Sequence, residues 1–170
     1  KISLIFIWLN LQMKKKYIDN FYNTTIKLKE YEVFALTLPI TLLHKDMFNK
    51  NEHFFKTTYD LLHSDISVLA SLYFNKNALS PTELYDATLF SSGGMTKVLK
   101  KLEDRKLIEK IPSLNDKRSM LISLTNDGET LIKECMESLV ESKEKLFNIL
   151  TQKEKKDLQK ILAKVIYSMI

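Results

Sequence analysis

The chain has 170 residues, 45% of them hydrophobic, with three Gly, three Pro, one Cys and a formal net charge of +5. That length fits one domain, with or without an oligomerisation extension, and suffices to bury a core. So few Gly and Pro exclude a turn-rich β-sandwich, and the lone Cys135 excludes an internal disulfide framework and suits a reducing compartment.

Residues 2–11 (ISLIFIWLNL) are strongly apolar and precede Lys14, Lys15 and Lys16. The stretch is too short to span a bilayer, which needs about 20 residues, and no small-x-small cleavage site follows it. Met13 and the three lysines also have the form of an ordinary translation start. Residues 1–16 are thus an N-terminal extension with three readings open: upstream sequence that is not the native start, an extra helix in an oligomer interface, or a membrane or export signal. The remainder fits a cytoplasmic protein with no membrane partner.

Residues 17–36 mix aromatics, Leu and Ile with polar residues and read as helix. Leu38-Pro39 is expected to bend or restart it, because Pro lacks an N–H and crowds the preceding turn. Leu43, Met47, Phe54 and Phe55 continue a long helix, with an interruption expected near Asn49 to Asn51. Leu62, Ile66, Leu69 and Leu72 place the next helix over 61–74, and 75–77 reads as a turn. Ser80-Pro81-Thr82-Glu83 is a helix start: Ser80 accepts from the third amide, Pro81 suits the first position and Glu83 completes a capping box. That helix is short, ending near Thr88. Ser91 or Ser92 caps another, whose Met95, Val98, Leu99 and Leu102 recur at i, i+3, i+4 and i+7 and so face a core. On its opposite side lie Gly93, Lys97, Lys100 and Asp104, flanked by Thr96 and Lys101.

Residues 107–111 and 119–124 alternate as two short strands joined by a charged turn, a hairpin. Asn126 to Glu129 is a capping pattern for a helix reaching about Leu150. Thr151 and Glu154 open the last helix by the same device. Its Leu158, Ile161, Leu162, Val165, Ile166 and Met169 form an apolar stripe that needs a partner, in this chain or another.

Charge is not spread evenly. Residues 91–118 hold eight Lys/Arg against four acids, whereas 119–170 hold eight against eight. A basic excess on a helix plus a turn is the footprint of phosphate binding, although a solvated helix face gives the same count. No HExxH, paired Cys, GxGxxG, Walker loop or GxSxG occurs, so no metal, cofactor or catalytic site is readable and the chain is read as a non-enzyme.

The order short helix, turn, helix, hairpin decides between the two meanings of the charge. The strings SPTELYDATLFSSGGMTKVLKKLEDRKLIEK and NDKRSMLISLTNDG resemble the MarR (multiple antibiotic resistance regulator) family of bacterial transcription factors, over roughly 34–168. The family's wing DxR corresponds to Asp116-Lys117-Arg118, and its strand-ending Leu-Thr with a following Gly to Leu124-Thr125 and Gly128. Two departures stand out: Lys106 where the family usually has Gly, and Lys97 and Lys110 where Arg is common.

The resemblance implies a mostly α chain with a small β-hairpin. A winged helix-turn-helix would occupy 61–125, N-terminal dimerisation helices 17–60 and C-terminal dimerisation helices 126–170. It implies a homodimer on a palindromic operator in double-stranded DNA, working as a repressor that a small aromatic or phenolic effector releases. The DNA contacts would be Ser92, Gly93, Gly94, Thr96, Lys97, Lys100, Lys101, Lys110, Lys117 and Arg118, with Arg118 in the minor groove and Asp116 orienting the wing. Gly93-Gly94 would let backbone approach phosphate, or would simply relax a tight turn. Lys97 is a point charge rather than a bidentate fork, which suits phosphate better than base readout. Candidate effector residues are Phe54, Tyr59, His63 and Tyr73, with core packing as their plainer role. Cys135 is an oxidation sensor or, in the plainer reading, a buried bystander. The alternative function is a winged-helix protein-interaction module that does not bind specific DNA.

Overall fold

A computed structural model describes residues 15–25, 27–75, 78–88, 92–113 and 119–169. The apolar stretch 2–11 and the wing tip 114–118 lie outside the described residues. The chain divides into two compact units, Lys1–Phe54 and Phe55–Ile170.

The first unit holds a helical run over 15–25 (α1), a 3₁₀ turn at Lys29–Tyr31 and most of α2, Phe34–Tyr59. Two expectations fail here. Pro39 does not restart the chain into a new element: it lies inside α2. The helix is already under way before it, since the amides of Leu36 and Thr37 donate to the Val33 carbonyl, and Pro39 forfeits a single later bond. Nor do Asn49 to Asn51 interrupt α2, whose i,i+4 pair Lys50–Asp46 (2.6 Å) runs through that turn.

The second unit is built around α3 (His63–Asn75). It packs against α4 (Pro81–Thr88), α5 (Ser92–Asp104), β2 (Met120–Leu124) and α6 (Asn126–Phe147). Leu61, Val68, Leu69, Leu84, Leu102, Ile122 and Ile132 are fully enclosed. Each such side chain contributes roughly 1.5–3 kcal/mol by leaving water. The helical spacing of Ile66, Leu69 and Leu72 becomes the buried face of α3, and Met95, Leu99 and Leu102 that of α5. A final helix, α7 (Gln152–Tyr167), buries none of its residues.

The hairpin pairs β1 (Ile108–Pro112) with β2 antiparallel, Ile108 opposite Leu124 and Pro112 opposite Met120. A bond from the Ser113 amide to the Ser119 carbonyl (3.0 Å) closes the ladder below the wing tip. Leu79 adds a bridge to Ile122, with both backbone bonds made, so a short extended segment that the sequence left unassigned flanks the hairpin.

Helix ends follow local chemistry. Ser80 and Glu83 form the expected box on α4: the Ser80 amide donates to the Glu83 carboxylate (2.7 Å) and the Glu83 amide to the Ser80 hydroxyl (3.2 Å). Those bonds hold the Glu83 carboxyl below its ordinary range. Thr151 and Glu154 cap α7 in the same way. The cap of α6 lies one residue earlier than expected, at Thr125, and α6 stops at Phe147 rather than near 150. Thr125 is extended (φ −80°, ψ 171°), still continuing β2, and its hydroxyl accepts from the Gly128 amide.

Lys106 ends α5 in the left-handed region, φ 57°. The Leu107 amide reaches back to the Leu102 carbonyl (3.0 Å) and the Lys106 amide to the Glu103 carbonyl (2.9 Å), a Schellman closure. Such a closure favours Gly, so Lys106→Gly is expected to stabilise the chain by about 0.5–1 kcal/mol in urea unfolding. A loss of stability of that size would contradict it.

Candidate nucleic-acid interface

Helix α4, a turn and α5 form a helix-turn-helix, with the β1–β2 hairpin behind the second helix. Leu84 on α4 and Met95, Leu99 and Leu102 on α5 anchor the pair to α3. Burial of that stripe turns the opposite side of α5 outward: Gly94, Thr96, Lys97 and Lys100 are exposed. Ser92 and Gly93 open the helix.

The basic residues of this region divide into two sets. Lys97 and Lys100 make no ion pair among the described residues and carry uncompensated charge into solvent. Lys101 instead donates to the buried Asp65 carboxylate (2.5 Å), and Lys110 to Glu103 (2.6 Å) across the start of the hairpin. Arg105, which the sequence pattern left without a role, donates to the Asp60 carbonyl (3.2 Å). Asp65 was also missed. Its only local sign was an acid in the first turn of α3, because its partner lies 36 residues away. Asp116, Lys117 and Arg118 lie outside the described residues.

The base of the hairpin is set by Thr125 and Gly128. The Thr125 hydroxyl donates to the Lys106 carbonyl (2.7 Å), and its amide to that of Leu107 (3.2 Å). Gly128 is buried against the same loop: a Cβ there would stand 1.9 Å from the Leu107 carbonyl oxygen. The Leu-Thr-x-x-Gly pattern is therefore a clasp joining the end of α5 to the start of α6.

The four candidate effector residues fall in both units. Phe54 belongs to the first unit and the others to the second. Tyr59 hydrogen-bonds Ser138 on α6, and burial raises its phenol above the ordinary range, with Cys135 and Glu134 nearby adding to the shift. The His63 ring sits edge-on to Phe55 (5.7 Å) and near the Ser67 hydroxyl (3.3 Å). Tyr73 alone lines an open cleft of about 660 Å³, with Leu72, Phe74, Ala78, Ser123, Leu124 and Glu129.

Cys135 is fully buried, and burial pushes its thiol up to about 11. It is therefore a protonated thiol near neutral pH, without thiolate reactivity. The folded chain is expected to resist a thiol reagent at neutral pH, while the urea-unfolded chain reacts fully; rapid labelling of the folded form would contradict this.

A helix-turn-helix with a hairpin behind its second helix is a winged helix, here with a cationic, solvent-facing side. Residues 59–119 match the model of the MarR family. The regulator PecS of Dickeya dadantii is 30% identical over 88 residues, covering 52% of this chain and 53% of that protein. The multiple antibiotic resistance protein MarR of Escherichia coli K12 is 29% identical over 89 residues, covering 52% of this chain and 62% of that protein. The match thus spans little more than half the length of these curated relatives. Among solved structures, apo MarR from E. coli superposes with a TM-score of 0.64 at 24% identity, over 76% of this chain and 96% of that one. The MepR–DNA complex of Staphylococcus aureus superposes at 0.70 and 20% identity, over 81% and 98%. At that identity these two establish the fold. No helix among the described residues is long and apolar enough to cross a membrane.

Proposed function

We propose that the chain is a cytoplasmic, homodimeric transcriptional regulator that binds a palindromic operator in double-stranded DNA. Two copies of α5 would enter successive major grooves about one helical turn apart, each with its wing and Arg118 over the adjoining minor groove. The observation that carries this is the solvent face of α5: Thr96, Lys97 and Lys100 lie exposed on one side of a helix that Leu99 and Leu102 lock from the other. The MepR neighbour, solved on DNA, supports the same docking of this fold.

A second copy is the partner that α7 calls for. Ile161, Val165 and Ile166 are 60%, 52% and 56% exposed, on a helix with no buried residue. Regulation is read as repression relieved by a small aromatic or phenolic compound. Such a compound releases DNA only if it binds the two dimer states with different affinity. The cleft beside Tyr73 is the candidate site for it.

Salt-dependent DNA titration tests the reading. Lys97→Ala and Arg118→Ala are each expected to weaken binding, with the fold intact. Each phosphate contact removed should lower the slope of log affinity against log salt by about 0.9. Weak DNA affinity that neither substitution changes would instead favour a protein-interaction module.

A further inference from the structure

The fold buries one charged side chain among the described residues, Asp65, which is 1% exposed. Its Oδ2 accepts from the Leu62 amide (2.8 Å) and from Lys101 Nζ (2.5 Å). The carboxylate thus caps the N-terminus of α3 and holds a cation on α5. One turn further along α5, Arg105 donates to the carbonyl of Asp60, a residue held at φ 53°. Lys101 and Arg105 are four residues apart, so both leave the same flank of α5 and meet the corner between α2 and α3.

Resting on the DNA-binding reading, we propose that Lys101 and Asp65 are a positioning pair that fixes how α5 is presented to DNA, and that Lys101 is not a phosphate contact. To reach a phosphate, Lys101 would have to abandon a buried carboxylate and leave it without its counter-charge. While the pair is intact, Asp65 also offsets the field of Lys101, which then adds little to counterion release. Among the described residues Lys97 and Lys100 have no such partner, and they retain their attraction for a polyanion.

The two roles give opposite signs in one substitution. Asp65→Asn removes a negative charge and keeps an acceptor for the Leu62 amide. If Lys101 is a phosphate contact, freeing it should tighten binding to every duplex. If the pair positions α5, Asp65→Asn should weaken the specific complex.

The experiment measures binding of the full chain to a selected duplex and to an unrelated one, across salt. Asp65→Asn and Lys101→Met are expected to weaken the selected duplex by about tenfold, comparable to losing one base contact. Binding to the unrelated duplex should not fall, and the salt slope of Lys101→Met should match wild type. Lys101→Arg, which keeps a cation on Asp65, should retain most of the affinity. Should Lys101→Met fail to fold, Asp65→Asn and Lys101→Arg still carry the test. Tighter binding of Asp65→Asn to both duplexes, or a slope reduced by about 0.9 in Lys101→Met, would overturn the proposal. A wild-type chain that cannot tell the two duplexes apart would overturn the DNA-binding reading itself.

Discussion

Gly128→Ala is expected to destabilise the chain by about 3 kcal/mol, and Gly128→Val by more. The Cβ would stand 1.9 Å from the Leu107 carbonyl oxygen and 2.9 Å from its carbon, which are backbone atoms with no rotamer to yield. To make room, the end of α5 and the start of α6 would have to separate. That would stretch the bonds from Thr125 to the Lys106 and Leu107 carbonyls, the clasp at the base of the wing. The helical preference of Ala over Gly, about 1 kcal/mol, favours the variant and is too small to reverse the sign. Chemical unfolding measures the difference, and a variant as stable as wild type would show that the close approach is not maintained in solution.

Leu102→Ala should cost about 3 kcal/mol, within the range for emptying a sealed aliphatic site. Leu102 is completely buried, and its carbonyl is the acceptor that closes the end of α5 on Leu107. The side chain is thus both the last anchor of the helix that bears Lys97 and Lys100 and part of its terminus. Loss of stability should be accompanied by weaker DNA binding even where the variant remains folded, because the helix loses its seat. A drop below about 1 kcal/mol would mean that the site collapses around the gap.

What the sequence revealed and what it hid follow from the range of the interactions. Helix α4 was legible to the residue because Ser80, Pro81 and Glu83 lie within one turn and settle its start without outside help. The buried stripe of α5 and the apolar stripe of α7 were legible for the same reason, as periodicities within single helices. The continuity of α2 through Pro39 was not, since a lone proline reports its own missing donor and not the turns already bonded before it. The Leu79 bridge depends on Ile122, far along the chain, and left no local mark.

The candidate site divides in the same way. Exposure of Lys97 and Lys100 followed from the helical wheel. That Lys101 and Lys110 have carboxylate partners did not, because a wheel assigns a residue to a face without saying what stands opposite. Lys106 was visible as a departure from the family's Gly; its left-handed backbone shows what that departure costs. Of the candidate effector residues, Tyr73 lines the cleft beside the hairpin, whose walls come from segments far apart in the chain.

The central claim is that paired winged helices read DNA through α5. Selection of bound fragments from a pool of random duplexes, using the full chain, tests it most directly. The account predicts recovery of an inverted repeat with half-sites about one helical turn apart, bound less well by Lys97→Ala. Recovery of no preferred sequence, or of one without two-fold symmetry, would contradict it.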